Sequence, residues 1–299
     1  MWRRPVAVLG RVLVILGLIA AGFVLFEYTA TDFLQHHSQA VGLAALAPEL
    51  RRAHVSIPSL PPSGPPRTAA TVSPPPVGAA LGVLSIPRIA IRQVIFEGVG
   101  EFQLSEGPGH YPGTSLPGEP GNAAIAGHRT TWGHPFRHLD QLVANDPIIL
   151  TTPQGTFVYR VRNEWVVSPT DTAVLAPTPH PSLTLTTCNP PYSAATRLVI
   201  RAALVSSSLG APRRSTGTSS PAPSGPYAGA RPVAGSSTPS TWGWFWFFAA
   251  IVIACIAAAE AYAWRRGRLL LPYVVILVPL LIGVIGCYVV GSRLLPPSI

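Results

Sequence analysis

Between residues 81 and 205 the chain breaks into short β-prone runs separated by Gly, Pro and Asn, and the composition changes abruptly on both sides. The runs are 82–86, 89–95, 122–127, 147–152, 156–167, 183–188 and 197–204. Each is bounded by turn residues and rich in β-branched or aromatic side chains. Residues 136–143 suit one short helix. Many short strands with turn signals predict an all-β unit, closed or sandwich-like. A stretch of about 125 residues is enough for one hydrophobic core.

The flanks do not read as further cores. Residues 56–77 and 206–240 are rich in Pro, Ser, Gly and Ala and have no strand or helix period. Such segments bury too little apolar surface to offset the entropy lost on ordering. We expect tethers here, with 27–80 a Pro-rich extracellular linker and 206–241 a flexible linker.

Outside the tethers lie three apolar segments, 6–26, 242–264 and 269–291, each about the length a helix needs to cross ~30 Å of hydrocarbon. Arg3 and Arg4 precede the first, which places residues 1–5 in the cytoplasm. Glu27-Tyr28-Thr29 follows it where a signal peptide would carry a small-residue cleavage site, so the segment reads as an uncleaved anchor. Cleavage at Ala20-Ala21-Gly22 is the rival. Trp242, Trp244 and Trp246 open the second segment as an interfacial belt, and Arg265, Arg266 and Arg268 make 265–268 a cytoplasmic loop. The expectation is a multi-pass protein of the cell membrane in contact with lipid, its folded unit extracellular and 292–299 a short tail.

Composition agrees: 48% hydrophobic and 11% charged residues, with 34 Pro and 27 Gly, do not fit a single soluble domain. The net charge of +9 comes from arginine alone. Those arginines form no basic stripe carrying aromatics, which argues against nucleic acid as a partner.

Of the 3 cysteines, Cys255 and Cys287 lie inside apolar segments. Cys188 is left in the exported part with no intramolecular disulfide partner, so it reads as a reactive thiol or an intermolecular link. Side chains alternate along a strand. Leu183 and Leu185 therefore share one face, and Thr184, Thr186 and Cys188 the other. In the last run Leu198 and Ile200 oppose Arg197 and Arg201. Pairing these runs around 189–196 sets Cys188 against Arg197 while the aliphatic residues stay together. His128 ends another run, opposite in face to Ile125, and can reach the same patch. A thiolate attacks carbonyl carbon, and a neighbouring imidazolium or guanidinium favours the thiolate. A histidine can protonate a leaving amine, and arginine can steady an oxyanion. His110, His134 and His138 compete with His128. Asp140 could orient His128 but suits an exposed helix charge better, and Arg201 suits a solvated face. His134 and His138 are spaced i, i+4 without a further ligand set, so no metal or cofactor is expected.

The run Thr184-Leu185-Thr186-Thr187-Cys188 resembles the Thr-Leu-x-Thr-Cys motif of sortases. Arg197-Leu198 resembles the arginine of that family's next strand, and Ala126-Gly127-His128-Arg129 the segment around its catalytic histidine. Gly107-Pro108-Gly109-His110-Tyr111-Pro112-Gly113-Thr114 with Pro120-Gly121-Asn122 is similar to actinobacterial class E members. Asn145-Asp146 departs from a common Gly-Asp, and two C-terminal spans resemble pilus-type members. The resemblance implies an eight-stranded sortase-like β-barrel over 81–205, with short helices and three transmembrane helices around it. It implies a cysteine transpeptidase that cuts a Leu-Ala/Pro-x-Thr-Gly sorting signal between Thr and Gly. The acyl group would pass to a cell-wall precursor or a pilin amine. Cys188 would be the nucleophile, His128 the acid/base and Arg197 the oxyanion and substrate stabiliser. His110, Tyr111, Thr186 and Thr187 are the candidate substrate-binding residues. A protease that hydrolyses the acyl-enzyme, or a non-catalytic cell-surface binding domain, are the alternatives.

Overall fold

The computed structural model describes residues 31–58, 61–62 and 64–210, with the isolated positions 17, 250, 283, 284 and 286. Apart from those single positions, the apolar segments 6–26, 242–264 and 269–291 lie outside the described residues. Among the described residues no helix is long and apolar enough to cross a membrane.

Eight strands are described: β1 (Ala80–Ile86), β2 (Ile91–Glu97), β3 (Gly109–His110), β4 (Asn122–Ala126), β5 (Pro147–Thr152), β6 (Gly155–Val167), β7 (Ser182–Asn189) and β8 (Thr196–Leu209). They close into a barrel in the order β1-β2-β3-β4-β7-β8-β6-β5. The pairs β2/β3 and β4/β7 are parallel and the others antiparallel. Closure removes the exposed edges of so short a set of strands.

The lumen is a packed core, lined by Leu84, Ile95, Ile125, Leu150, Phe157, Tyr159, Leu183, Leu185, Leu198 and Ile200. Period-two alternation supplies these side chains from every long strand. Tyr159 is fully buried, and its hydroxyl is satisfied by the Gly118 N–H at 2.7 Å. Gly118 takes φ +89°, and a Cβ there would run into the Phe157 ring, so both backbone and packing require glycine.

The expected runs map onto β1, β2 and β4 to β8 with shifted ends. Pro87 starts a 3-10 turn (Pro87–Ile89) and Ala90 is left-handed at φ 54°, which delays β2 to Ile91. β3 has 2 residues, too few for any periodic pattern. The short helix expected at 136–143 is only the 3-10 turn Leu139–Gln141. A true helical turn runs instead over Glu101–Glu106, labelled α2 below.

The largest difference lies in 27–80. Residues 31–52 form a helix, α1, where a linker is expected. Its buried positions Thr31, Gln35, Gly42, Leu46 and Leu50 fall on one stripe. Leu46 and Leu50 pack on Val83, Val94 and Phe96 of the outer β1–β2 face. The Gln39 amide completes β2 as a strand neighbour would, accepting from Val94 N at 2.6 Å and donating to Val94 O at 3.0 Å. The Pro-rich stretch after it is also bound to the barrel. Ser206 Oγ is shared between Pro62 O (2.8 Å) and Gly64 O (2.5 Å). Ser207 Oγ accepts from Arg67 N (2.7 Å) and donates to Arg67 O (2.8 Å). Ala69 N donates to Gly118 O at 2.8 Å, and Val72 N to Glu119 Oε1 at 2.9 Å. β8 accordingly runs on through Ser206–Ser208, which composition assigned to a tether.

Candidate active site

Two register relations assemble the site. In the antiparallel β7/β8 pair Cys188 is directly opposite Arg197, and Asn189 opposite Thr196. In the parallel β4/β7 pair Ala126 is level with Thr186, and Gly127 N donates to Thr186 O at 3.1 Å. His128 follows two residues after Ala126, past the end of that pairing, as Cys188 follows two after Thr186. Ala124 and Val199 belong to the apolar cluster outside the barrel, whereas Ala123, Ile125, Leu198 and Ile200 belong to the lumen. Alternation therefore sends Cys188 and Arg197 to the outer face, and His128 follows the end of β4, the strand next to β7 in the barrel order.

The β7–β8 corner is fastened by Thr196 Oγ1, which donates to Asn189 O at 2.7 Å. Arg197 Nη1 donates to Ala194 O (3.0 Å) and Thr196 O (3.1 Å), holding its guanidinium at the base of the loop 190–195. His128 leads into a turn whose end returns through Phe136 N to His128 O at 3.0 Å. A Cβ at Gly127 would meet the Phe136 ring at 2.7 Å, so glycine lets that ring pack beneath the turn.

Both candidate groups are covered: Cys188 is 2% exposed and His128 7%. Burial lowers the His128 imidazole from its ordinary 6.5 to about 4. Burial pushes the Cys188 thiol up, with the Arg197 and Arg129 charges pulling it back. The flanking cations alone would favour the thiolate, but burial is the larger effect and favours the neutral thiol and the neutral imidazole.

The remaining candidates separate. The Tyr111 hydroxyl lies 3.2 Å from Thr186 Oγ1. Burial raises the phenol, which also feels Arg197 and Cys188, so Tyr111 and Thr186 belong to the face that carries the thiol. Thr187 is fully buried on the lumen side, where its hydroxyl donates to Gly127 O at 2.8 Å. It ties β7 to β4 and offers nothing to a substrate. His110 is 1% exposed, with Nδ1 on Glu97 Oε2 at 2.8 Å and Nε2 3.0 Å from both Ser115 O and Thr114 Oγ1. Those partners make it a structural residue rather than a groove residue.

His134 faces Asp32 at 3.7 Å, and His138 bonds Gln141 at 3.1 Å. Asp140 is an exposed charge in the 3-10 turn, as expected, and reaches Arg129 Nη2 at 3.1 Å. Arg201 is not a solvated cation: it stacks 5.7 Å from the Trp165 centroid and donates to Val174 O at 2.9 Å. That bond, with Asn122 Nδ2 on the same carbonyl at 3.1 Å, fastens the 3-10 turn Thr172–Leu175 over the outer face. Arg129 was missed, although its place directly after His128 was the available signal. Among the described residues no group of three or more His, Cys, Asp or Glu could hold a metal ion.

Residues 84–205 match the family model described as the sortase domain. Over 139 residues the chain is 34% identical to sortase SrtE1 of Streptomyces coelicolor, covering 41% of this chain and 40% of that protein. Over 117 residues it is 34% identical to sortase D of Bacillus subtilis, covering 39% and 58%. It thus spans less than two thirds of either relative. The crystal structure of sortase E1 from Streptomyces coelicolor with a tripeptide in the active site is 32% identical, covers 44% of this chain and 91% of that one, and superposes with a TM-score of 0.43. Residues 84–205, the barrel that carries Cys188, His128 and Arg197, are thus a domain of the sortase family.

Proposed function

We propose that the protein is a membrane-anchored cysteine transpeptidase. It cuts a sorting signal of Leu-Ala/Pro-x-Thr-Gly type between Thr and Gly and joins the acyl part to a cell-surface amine. The observation that supports this reading is the register that sets Cys188 directly opposite Arg197, with His128 following the strand that pairs with β7 on its other side.

The resting pair is neutral, so the first step is transfer of the Cys188 proton to His128. The sulfur then attacks the Thr carbonyl carbon, and the C=O electron pair moves to oxygen. The fixed charge of Arg197 meets that developing oxyanion in a site shielded from water, where it counts for more than in bulk solvent. Collapse breaks the C–N bond, and the Gly nitrogen leaves with the proton held on His128. The thioester is resolved by a primary amine, whose proton passes to His128 and then to the departing thiolate. A cell-wall precursor or a pilin lysine supplies that amine. Tyr111 and Thr186, on the same outer face, contact the signal peptide.

Segments 6–26, 242–264 and 269–291 span the membrane, with 265–268 in the cytoplasm and the barrel outside. The charge pattern supports this arrangement: Arg3 and Arg4 precede the first span, and arginines fill the short loop between the other two. Protease added to intact cells should remove the barrel; complete protection would reverse the orientation.

The decisive experiment incubates the full chain in detergent with Leu-Ala-x-Thr-Gly and Leu-Pro-x-Thr-Gly peptides, with and without a glycine-based amine, followed by mass spectrometry. A Cys188 thioester and an amine-ligated product are expected. Hydrolysis that ignores the amine would make it a protease, and no Cys188 adduct would remove the enzymatic reading.

A further inference from the structure

Arg129 follows His128 in sequence and is 4% exposed, a buried cation paired through both Nη atoms, while its Nε has no hydrogen-bond partner among the described residues. Its partners come from two separate pieces of the site. Nη1 donates to Cys188 O at 3.1 Å and to Asn189 Oδ1 at 2.9 Å, both at the end of β7. Nη2 meets Asp140 Oδ1 at 3.1 Å, in the 3-10 turn that closes the segment begun by His128. The β4/β7 strand pairing stops at Ala126 and Thr186, two residues short of the reacting groups. Beyond that point the Arg129 fork links the His128 segment to the nucleophile's own peptide. Arg197, by contrast, bonds carbonyls of its own loop.

We propose that Arg129 is a positioning residue. It holds the Cys188–Asn189 peptide against the His128 segment and places a second fixed charge beside the thiol, with Asp140 anchoring the guanidinium from the outer side. The planar fork suits this task because it can serve a carbonyl, an amide oxygen and a carboxylate at once. The groups around Cys188 are His128 and Arg129 after β4, Arg197 on β8 and Tyr111 after β3, with Asp140 acting through Arg129. Burial raises the thiol and both arginines lower it, so losing either charge leaves the proton harder to remove.

The proposal rests on the transpeptidase reading for the meaning of turnover, not for the reactivity of the thiol. The test therefore reads both, on the full chain in detergent. The first readout is the pH midpoint of Cys188 alkylation by iodoacetamide, followed on the Cys188 peptide by mass spectrometry. The second is kcat and KM on the sorting peptide. R129M should move the midpoint to higher pH and lower kcat about tenfold or more, with little change in KM. R129K should restore the midpoint but not kcat, because one ammonium cannot reach all three partners. D140N should show a smaller loss of kcat. A folded R129M with an unchanged midpoint and unchanged kcat overturns the proposal. Should R129M fail to fold, R129K decides: reduced kcat at an unshifted midpoint supports the role, and wild-type kcat ends it. A shifted midpoint in a chain that turns over no peptide sinks the transpeptidase reading and leaves Arg129's role standing.

Discussion

At the end of the barrel where β4 and β7 finish and β8 begins lie a buried thiol, a buried imidazole and two guanidiniums, that of Arg129 buried and that of Arg197 half-buried. At the other end, where β8 finishes beside the β5–β6 turn, serine hydroxyls and a glutamine amide hold a strand-less strap of proline-rich chain. Each end must satisfy polar groups that the barrel does not pair. The active end does so with charges, while burial favours the neutral forms of Cys188 and His128. The strap end relies mainly on neutral hydrogen bonds, with Ser206, Ser207 and Gln154 serving the carbonyls of Pro62, Gly64, Arg67 and Ala70, and the Glu119 carboxylate accepting from Val72 N. Chemistry and closure are thus kept at opposite ends, and a substitution at one end should leave the other unaltered. That separation is what the following experiments are designed to break.

The largest effect is expected from Cys188→Ala. Turnover should vanish, because no other described residue offers a thiolate on that face. The melting temperature should stay close to wild type, since the change removes one small buried group. Residual steady-state turnover would move the chemistry elsewhere.

His128 gives the next effect, on stability against acid. The folded imidazole titrates near 4 and the unfolded one near 6.5. Between those values the unfolded chain binds more protons than the folded one, so stability rises with pH and is lost as pH falls through the window. A gap of this size is worth about 3 kcal/mol for a buried group. Urea unfolding at pH 7 and pH 4 should therefore show a steeper acid loss in wild type than in His128→Gln. Parallel losses in the two proteins would place the imidazole in water.

Arg197→Lys should lower kcat on the order of a hundredfold, the scale of a lost oxyanion donor. The ammonium keeps the charge but cannot hold Ala194 O and Thr196 O while facing the substrate. Rates within about twofold of wild type would take Arg197 out of the mechanism.

How much of this was legible from residue order depends on the range of the pattern. The Cys188–Arg197 register follows from local alternation, because Leu183, Leu185, Leu198 and Ile200 must share the lumen. The same alternation puts Thr187 with the leucines, so its removal from the candidate groove was readable too. His128 was placed by family likeness, since the parallel β4/β7 register joins residues about sixty apart and leaves no local trace. His110 misled because a histidine beside a tyrosine looks like a site, while Glu97 is brought to it only by the β2/β3 pairing. Helix α1 escaped because the first half of its buried stripe is Thr31, Gln35 and Gly42, polar or small, which conceals the helical period.

The strap escaped for a related reason, and it supplies the smallest and sharpest prediction. Proline lacks an N–H, so a proline-rich segment offers mainly carbonyls, and composition then reads it as unable to pair. A serine-rich strand end offers hydroxyl donors and reads the same way. Each segment looks disordered alone, but together they are complementary. Removing the Ser206 hydroxyl in Ser206→Ala strands two carbonyls that are only partly exposed, and should cost about 1–2 kcal/mol in urea unfolding. Ser207→Ala should cost a similar amount by releasing Arg67 N and O. Neither should change kcat or the alkylation of Cys188, because the two serines sit at the far end of β8 from Arg197. A loss of stability with unchanged turnover supports the division of labour between the ends. A fall in kcat without a fall in stability would mean that the strap communicates with the thiol, and the separation would have to be abandoned.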